Sequence, residues 1–242
     1  MQESAKESNY YRQMSDLTKY NPSQREAVTF GEGPLLVLAG PGSGKTFTIT
    51  QRILYLIHEK QIPPQKLLVI TFTREAAVSM RQRFLQISPQ HTTVNFGTFH
   101  SCFYQILLRS GRVSPGNILN EKQKKELIYP VLKKIKAHNT LSATDLPELA
   151  KNLLAAIGYY KNTGDLQSSM DRLPEDWKND FAQVYSGYEE ARKRIRGLDF
   201  DDMLKECEEL LQKDDAMRAY WQNLFSYILI DEFQDINYRQ YC

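Results

Sequence analysis

Residues 39–46 read Ala-Gly-Pro-Gly-Ser-Gly-Lys-Thr, and residues 228–235 read Ile-Leu-Ile-Asp-Glu-Phe-Gln-Asp. The first stretch follows an apolar run, Pro34 to Leu38, and precedes a helical pattern from Phe47 to Ile57. A strand, a glycine-rich turn and a helix in that order form a phosphate-binding loop. Its glycines let backbone N–H groups turn inward on phosphate oxygens, and the helix amino end adds a favourable dipole. The loop comprises Ala39, Gly40, Pro41, Gly42, Ser43, Gly44, Lys45 and Thr46. Lys45 is placed to reach the β- and γ-phosphates of ATP, and the Thr46 hydroxyl to ligate Mg²⁺. The second stretch supplies acid. Asp231 closes the run Tyr227 to Ile230, which reads as a buried parallel strand. A carboxylate there holds the metal, and Glu232 beside it orients or deprotonates the attacking water.

The rest of the chain is compatible with one large or two modest soluble domains. It has 242 residues, 25% charged and 41% hydrophobic, with a net charge of +2. That balance neither requires nor excludes a nucleic-acid partner. Cys102, Cys207 and Cys242 are far apart and no histidines cluster, which argues against zinc and disulfides and fits a reducing cytoplasm. No apolar run approaches membrane-spanning length, and the polar start, Met1 to Ser8, is not a signal peptide.

Along the chain, Asn21 or Ser23 caps a helix running to Val28. A second strand is expected over residues 66–72, a helix over 75–85, a third strand over 92–97 and a helix over 99–108. This β-α-β-α order predicts an open parallel sheet with its chemistry at the carboxyl edge. From residue 110 to 196 strands vanish, and amphipathic helices follow at 121–138, 146–160 and 175–196. Asp199, Asp201 and Asp202 cap or orient the next helix, 203–211, rather than bind metal. Tyr159, Tyr160 and Trp177 read as core. The lysines at 122, 124, 125, 133, 134 and 136, with Arg192, Lys193, Arg194 and Arg196, read as a solvated face. The expected organisation is an α/β, RecA-like P-loop NTPase sheet with helices on both faces, interrupted by an inserted all-helical subdomain. It places 1–109 in the motor domain, 110–196 in the insertion, and 197–242 back in the motor domain, truncated after the acidic strand.

Taken together, five collinear stretches resemble the UvrD/Rep/PcrA-type superfamily 1 DNA helicases. Tyr20 to Val28 resembles the family's Q motif, which implies that Gln24 recognises adenine. Residues 39–46 match its phosphate loop and 231–235 its acidic motif. Ile70 to Ala77 and Gly97 to Ser101 resemble its motifs that touch single-stranded DNA, and Leu198 to Asp202 is also a familiar stretch. The resemblance implies DNA contacts by Thr71, Phe72, Thr73, Arg74, Thr98, Phe99, His100 and Ser101, and nucleotide coupling by Gln234 and Asp235. Aromatic faces and small hydroxyls at strand ends suit sequence-tolerant single-strand binding. The implied activity is 3′ to 5′ translocation and unwinding driven by ATP and Mg²⁺, on single-stranded DNA and junctions.

Two departures matter. Many relatives have arginine after the loop threonine, where this chain has Phe47. The chain also stops seven residues past Asp235, whereas the family continues into a second motor domain carrying cleft-crossing arginines. Such arginines are worth roughly 10³ to 10⁵ in rate. The expectation is an amino-terminal portion that binds Mg-ATP weakly and turns it over slowly or not at all. A P-loop ATPase without a nucleic-acid role, or an inactive remnant that binds DNA or protein, are the alternatives.

Overall fold

The computed structural model describes residues 20–135, 146–236 and 238–241. The lead-in over 1–19, Lys136, His138 and Cys242 lie outside the described residues. The chain divides into two compact units. One comprises residues 1–97 with 224–231, the other residues 98–223 with 232–242.

The first unit begins with α1 (Pro22–Thr29), opened by a reciprocal cap between Asn21 and Gln24 with Pro22 in the first turn. Helix α2 (Lys45–His58) follows the glycine loop, then strand β1 (Leu67–Thr71), helix α3 (Arg74–Ile87) and strand β2 (Asn95–Thr98). Strand β3 (Tyr227–Ile230) returns to the sheet, giving the order β2-β1-β3. β1 and β3 pair in parallel, from Leu67 opposite Tyr227 to Ile70 opposite Ile230. Every residue of β1 is buried, as its unbroken Leu-Leu-Val-Ile-Thr composition requires of a strand covered on both faces. Ile53, Leu54 and Leu56 of α2 close a core with Leu67, Val69, Phe84 and Leu229.

One strand expectation fails. Residues 34–38 join no sheet, and Leu36, Val37 and Leu38 are 66%, 49% and 88% exposed. A strand exists only through a hydrogen-bonding neighbour. β2 and β3 occupy both edges of β1, and the segment does not pair with β3, whose Ile228 is 56% exposed. The sheet therefore has three strands, not the four the sequence suggested.

The second unit is helical. α4 (Phe99–Arg109) packs through Ile106 and Leu107 against Leu198, Met203, Cys207 and Leu210. Next come α5 (Glu121–Ile135), α6 (Leu146–Thr163), α7 (Leu166–Met170), α8 (Glu175–Lys178) and α9 (Phe181–Arg194). Their shared core contains Ile128, Leu132, Leu153, Ile157, Trp177, Phe181, Val184 and Tyr188. Trp177 and Tyr160 belong to or pack on that core as expected, whereas Tyr159 does not. α10 (Phe200–Lys213), α11 (Asp215–Leu224) and α12 (Tyr238–Tyr241) complete the unit. The helices at 99–109 and 200–213, which the sequence reading gave to the sheet domain, thus cluster with the inserted helices.

Candidate functional site

The loop is shaped by its glycines. Gly42 has φ +74° and Gly44 φ +88°, conformations that residues with a Cβ rarely adopt. Gly44 is the amino cap of α2 and contributes no side-chain bond to the amides that open that helix. Space around Gly40 and Gly42 is open, with no atom within 4 Å of where a Cβ would lie. The hydroxyls along α2 differ in use. Thr48 donates to the Gly44 carbonyl at 3.1 Å and Thr50 to the Thr46 carbonyl at 2.8 Å. Thr46, half-buried in the first turn ahead of both, makes no hydrogen bond with its own hydroxyl among the described residues. An uncommitted hydroxyl at the amino end of a helix, beside a lysine and a glycine cradle, fits a phosphate-bound Mg²⁺.

Helix α2 spans about 21 Å and connects through residues 59–66 to the amino end of β1, with both in one core. Thr71 ends β1 and Asp231 follows β3, both at the carboxyl edge of the sheet. The Asp231 N–H donates to the Ile70 carbonyl at 2.9 Å, which extends the β3 ladder by one residue and fixes the aspartate backbone at that edge.

Gln24 is engaged inside the protein. Its Nε2 donates to the Ser43 carbonyl at 2.9 Å, and its Oε1 accepts from the Asn21 N–H at 3.2 Å. The glutamine read as an adenine reader thus ties α1 to the phosphate loop. Phe47 is exposed and tilts against Tyr20 at 5.5 Å, while the Tyr20 hydroxyl donates to Gln51 at 2.8 Å.

Among the residues expected to touch DNA, the two sets differ. In the first unit Phe72 is 55% exposed, but Thr71 is buried, its hydroxyl donating to the Thr73 carbonyl. Thr73 caps α3 by accepting from the Ala76 N–H, leaving Arg74 exposed in the first turn. In the second unit Thr98 and Ser101 form a reciprocal cap of α4. Phe99 is buried and packs near Phe103, so its ring face is closed to a base. His100 meets Phe200 edge-on at 5.2 Å, and burial holds its pKa below the usual imidazole value despite Asp201. Glu232 adopts a left-handed backbone, φ +53°, and its carboxylate accepts from the Gln234 amide.

The sequence reading missed a buried ionic cluster in the helical unit. The Lys161 ammonium lies 2.8 Å from Glu189, 2.9 Å from Asp199 and 2.7 Å from Asp202. Arg192 bonds Glu189 at 2.8 Å and Asp202 at 3.0 Å, and donates to the Gly197 carbonyl. It is therefore no part of a solvated basic face. Asp199 caps α10, as expected, by accepting from the Asp202 N–H at 2.8 Å. Burial alone would raise the Glu189 and Asp199 carboxyls, but the cations and hydrogen bonds around them hold both below the usual range. Asp202 goes the other way, pushed up to about 7 by burial and by Asp199.

The linkage follows from those directions. Glu189 and Asp199, depressed on folding, stabilise above their ordinary values near 4 and lose that contribution as pH falls. Asp202, raised on folding, stabilises below its ordinary 3.8 and loses the contribution as pH rises through about 7. The thermal midpoint of the helical unit, read from Trp177 and Trp221 fluorescence, is expected to fall between pH 6 and 8. An Asp202→Asn chain should show a flatter profile. A wild-type midpoint unchanged over that interval would refute the assignment.

The comparisons with known proteins agree on one lineage. The profile of the UvrD/REP helicase N-terminal domain matches residues 20–242. The chain belongs to that family. It is 38% identical over 231 residues to a putative ATP-dependent DNA helicase, YjcD, of Bacillus subtilis, covering 91% of this chain and 29% of that protein. It is 36% identical to the ATP-dependent DNA helicase PcrA of Staphylococcus aureus, covering 93% and 31% respectively. For PcrA of Staphylococcus epidermidis the identity is 38%, covering 91% and 30%. The chain therefore spans less than a third of the length of these relatives. Among the described residues no helix is long and apolar enough to cross a membrane.

Proposed function

We propose that this chain is the ATP-binding portion of an ATP-dependent 3′–5′ DNA helicase of the UvrD/REP family, acting in the cytoplasm. One observation carries the reading. The glycine cradle opens onto a helix start with an uncommitted Thr46 hydroxyl, in the same unit as an aspartate that ends a parallel strand. Lys45 and the loop amides hold the triphosphate tail, and Thr46 with Asp231 holds the metal. When bound, Mg²⁺ neutralises charge on the β- and γ-oxygens. Glu232 orients or deprotonates the attacking water, and Gln234 holds the Glu232 carboxylate and couples it to nucleotide state. Gln24 recognises adenine after giving up at least one of its present bonds. Phe72, Thr73 and Arg74, with Thr98, His100 and Ser101, grip the single strand, and junctions are engaged by the whole protein. Thr71 and Phe99 support these segments from within. The organisation proposed is motor domain, helical insertion over 110–196, then return to the motor domain, with a second motor domain in the same polypeptide completing the cleft. Relatives more than three times the length of the matched region support that last step. Alone, the chain binds Mg-ATP weakly and hydrolyses it slowly or not at all.

The test is binding of a fluorescent ATP analogue and of a labelled oligo-dT to the purified chain, with and without Mg²⁺. Nucleotide binding that requires Mg²⁺, together with oligo-dT affinity that changes with nucleotide, is expected. Nucleotide binding without any oligo-dT affinity would instead favour a P-loop ATPase with no nucleic-acid role. Oligo-dT binding indifferent to nucleotide would favour a passive binding module.

A further inference from the structure

Outside the loop and the strand ends, the helical unit carries a polar hollow of about 520 Å³ that the reading above does not use. Lys124 and Lys125 of α5 and Lys151 of α6 line it, together with Glu121, Gly158, Tyr159 and Asp201. We propose that this hollow binds phosphate groups, at a site separate from the glycine loop. Lys124 is bonded to Glu121 at 2.6 Å, but Lys125 and Lys151 have no ion-pair partner among the described residues. With Lys124 bonded to Glu121, two ammonium groups from different helices face one cavity whose remaining lining carboxylate is Asp201, an excess of positive charge that an oxyanion relieves. Tyr159 of the lining also carries the Arg172 guanidinium stacked on its ring at 4.0 Å.

Asp201 is the internal counter-charge. Its Oδ1 accepts from the Asn162 amide at 2.6 Å, and the other oxygen lies 2.8 Å from where a Cβ on residue 158 would sit. Gly158 is thus the residue that leaves room for the carboxylate in the lining of the hollow. The ligand class is a phosphodiester or polyphosphate whose neighbouring phosphates span the α5 and α6 lysines. A nucleic-acid backbone and a free polyphosphate share that chemistry.

Fluorescence anisotropy on the 242-residue chain separates the two sources. The probes are labelled oligo-dT, a labelled duplex and inorganic tripolyphosphate as competitor, at about 50 and about 200 mM salt. Lys125→Gln with Lys151→Gln is expected to weaken binding about tenfold at the lower salt, with the thermal midpoint unchanged. Its salt dependence should be shallower by about 1.4 for the single strand or about 1.8 for the duplex, the loss of two phosphate contacts. Asp201→Asn keeps an acceptor for Asn162 and is expected to strengthen binding several-fold. Weakening confined to one or both oligonucleotides assigns the site to a nucleic-acid backbone, and weakening confined to tripolyphosphate assigns it to a free polyphosphate. Affinities and salt slopes unchanged for every probe in both variants would overturn the proposal. Titration calorimetry with tripolyphosphate alone reads the hollow even if the wild-type chain binds no oligonucleotide, an outcome that would count against the helicase reading instead.

Discussion

Lys161→Met is expected to destabilise the helical unit by about 3 to 5 kcal/mol, the usual cost of removing one partner from a buried ion pair. The Lys161 side chain is 2% exposed and is shared by Glu189 of α9 and by Asp199 and Asp202 at the start of α10. Methionine fills a similar volume, so the loss is electrostatic rather than a packing defect. Glu189 and Asp199 would then lose the ammonium they share, in a site too dry to screen them. A domain's total stability is about 5 to 15 kcal/mol, so the variant should sit near its unfolding threshold at physiological temperature. Urea unfolding followed by tryptophan emission reads this unit specifically, because Trp177 and Trp221 both lie in it. Adding Asp199→Asn, which keeps a side-chain acceptor for the Asp202 N–H, to Lys161→Met should restore part of the loss by removing one uncompensated charge. A single-variant loss below about 1 kcal/mol, the range of an exposed pair, would show that the cluster is hydrated.

Lys45→Ala is expected to lower the affinity for a fluorescent ATP analogue by about tenfold to a hundredfold, the worth of charge-assisted hydrogen bonds to phosphate. Thr46→Val removes only a hydroxyl that no group among the described residues uses, so folding should be unaffected. Its loss should appear only with Mg²⁺ present and vanish in EDTA, whereas the Lys45 defect should persist in both. This crossed pattern distinguishes a metal-ligating threonine from a phosphate-binding lysine. Equal losses for both variants with and without metal would mean that Thr46 acts through loop shape instead.

Much of the site was legible because its chemistry is local. A phosphate loop is eight consecutive residues whose glycines specify left-handed turns, and Gly42 and Gly44 adopt them. The capping patterns at Asn21, Thr98 and Asp199 likewise act within four residues. What escaped the reading depends on partners distant in sequence. Residues 34–38 have the composition of a buried strand, but composition cannot supply the neighbour that makes one. Phe99 and Phe72 look alike in sequence, each beside a threonine at a strand end, yet one is covered and the other open. The ionic cluster did leave a trace. Lys161 continues the i, i+4 stripe of Leu153 and Ile157, and Arg192 continues that of Val184 and Tyr188. A charged residue on an apolar stripe signals a buried pair, but Arg192 reads in sequence as part of a basic run and Lys161 is not singled out there.

The unpaired stretch at 34–38 also bears on how this polypeptide behaves in a test tube. Four adjacent aliphatic side chains, without a charge or a proline after Pro34, lie on a stretch that pairs with no strand among the described residues. The outer rim of β3, with Ile228 uncovered, offers the matching template. Edges of this kind recruit further copies in register, and natural proteins blunt them with lysine or by covering them. Handled by itself at high concentration, the chain carries a built-in tendency to aggregate that originates beside its nucleotide loop, so dilution and a lysine at position 36 or 38 are the rational remedies.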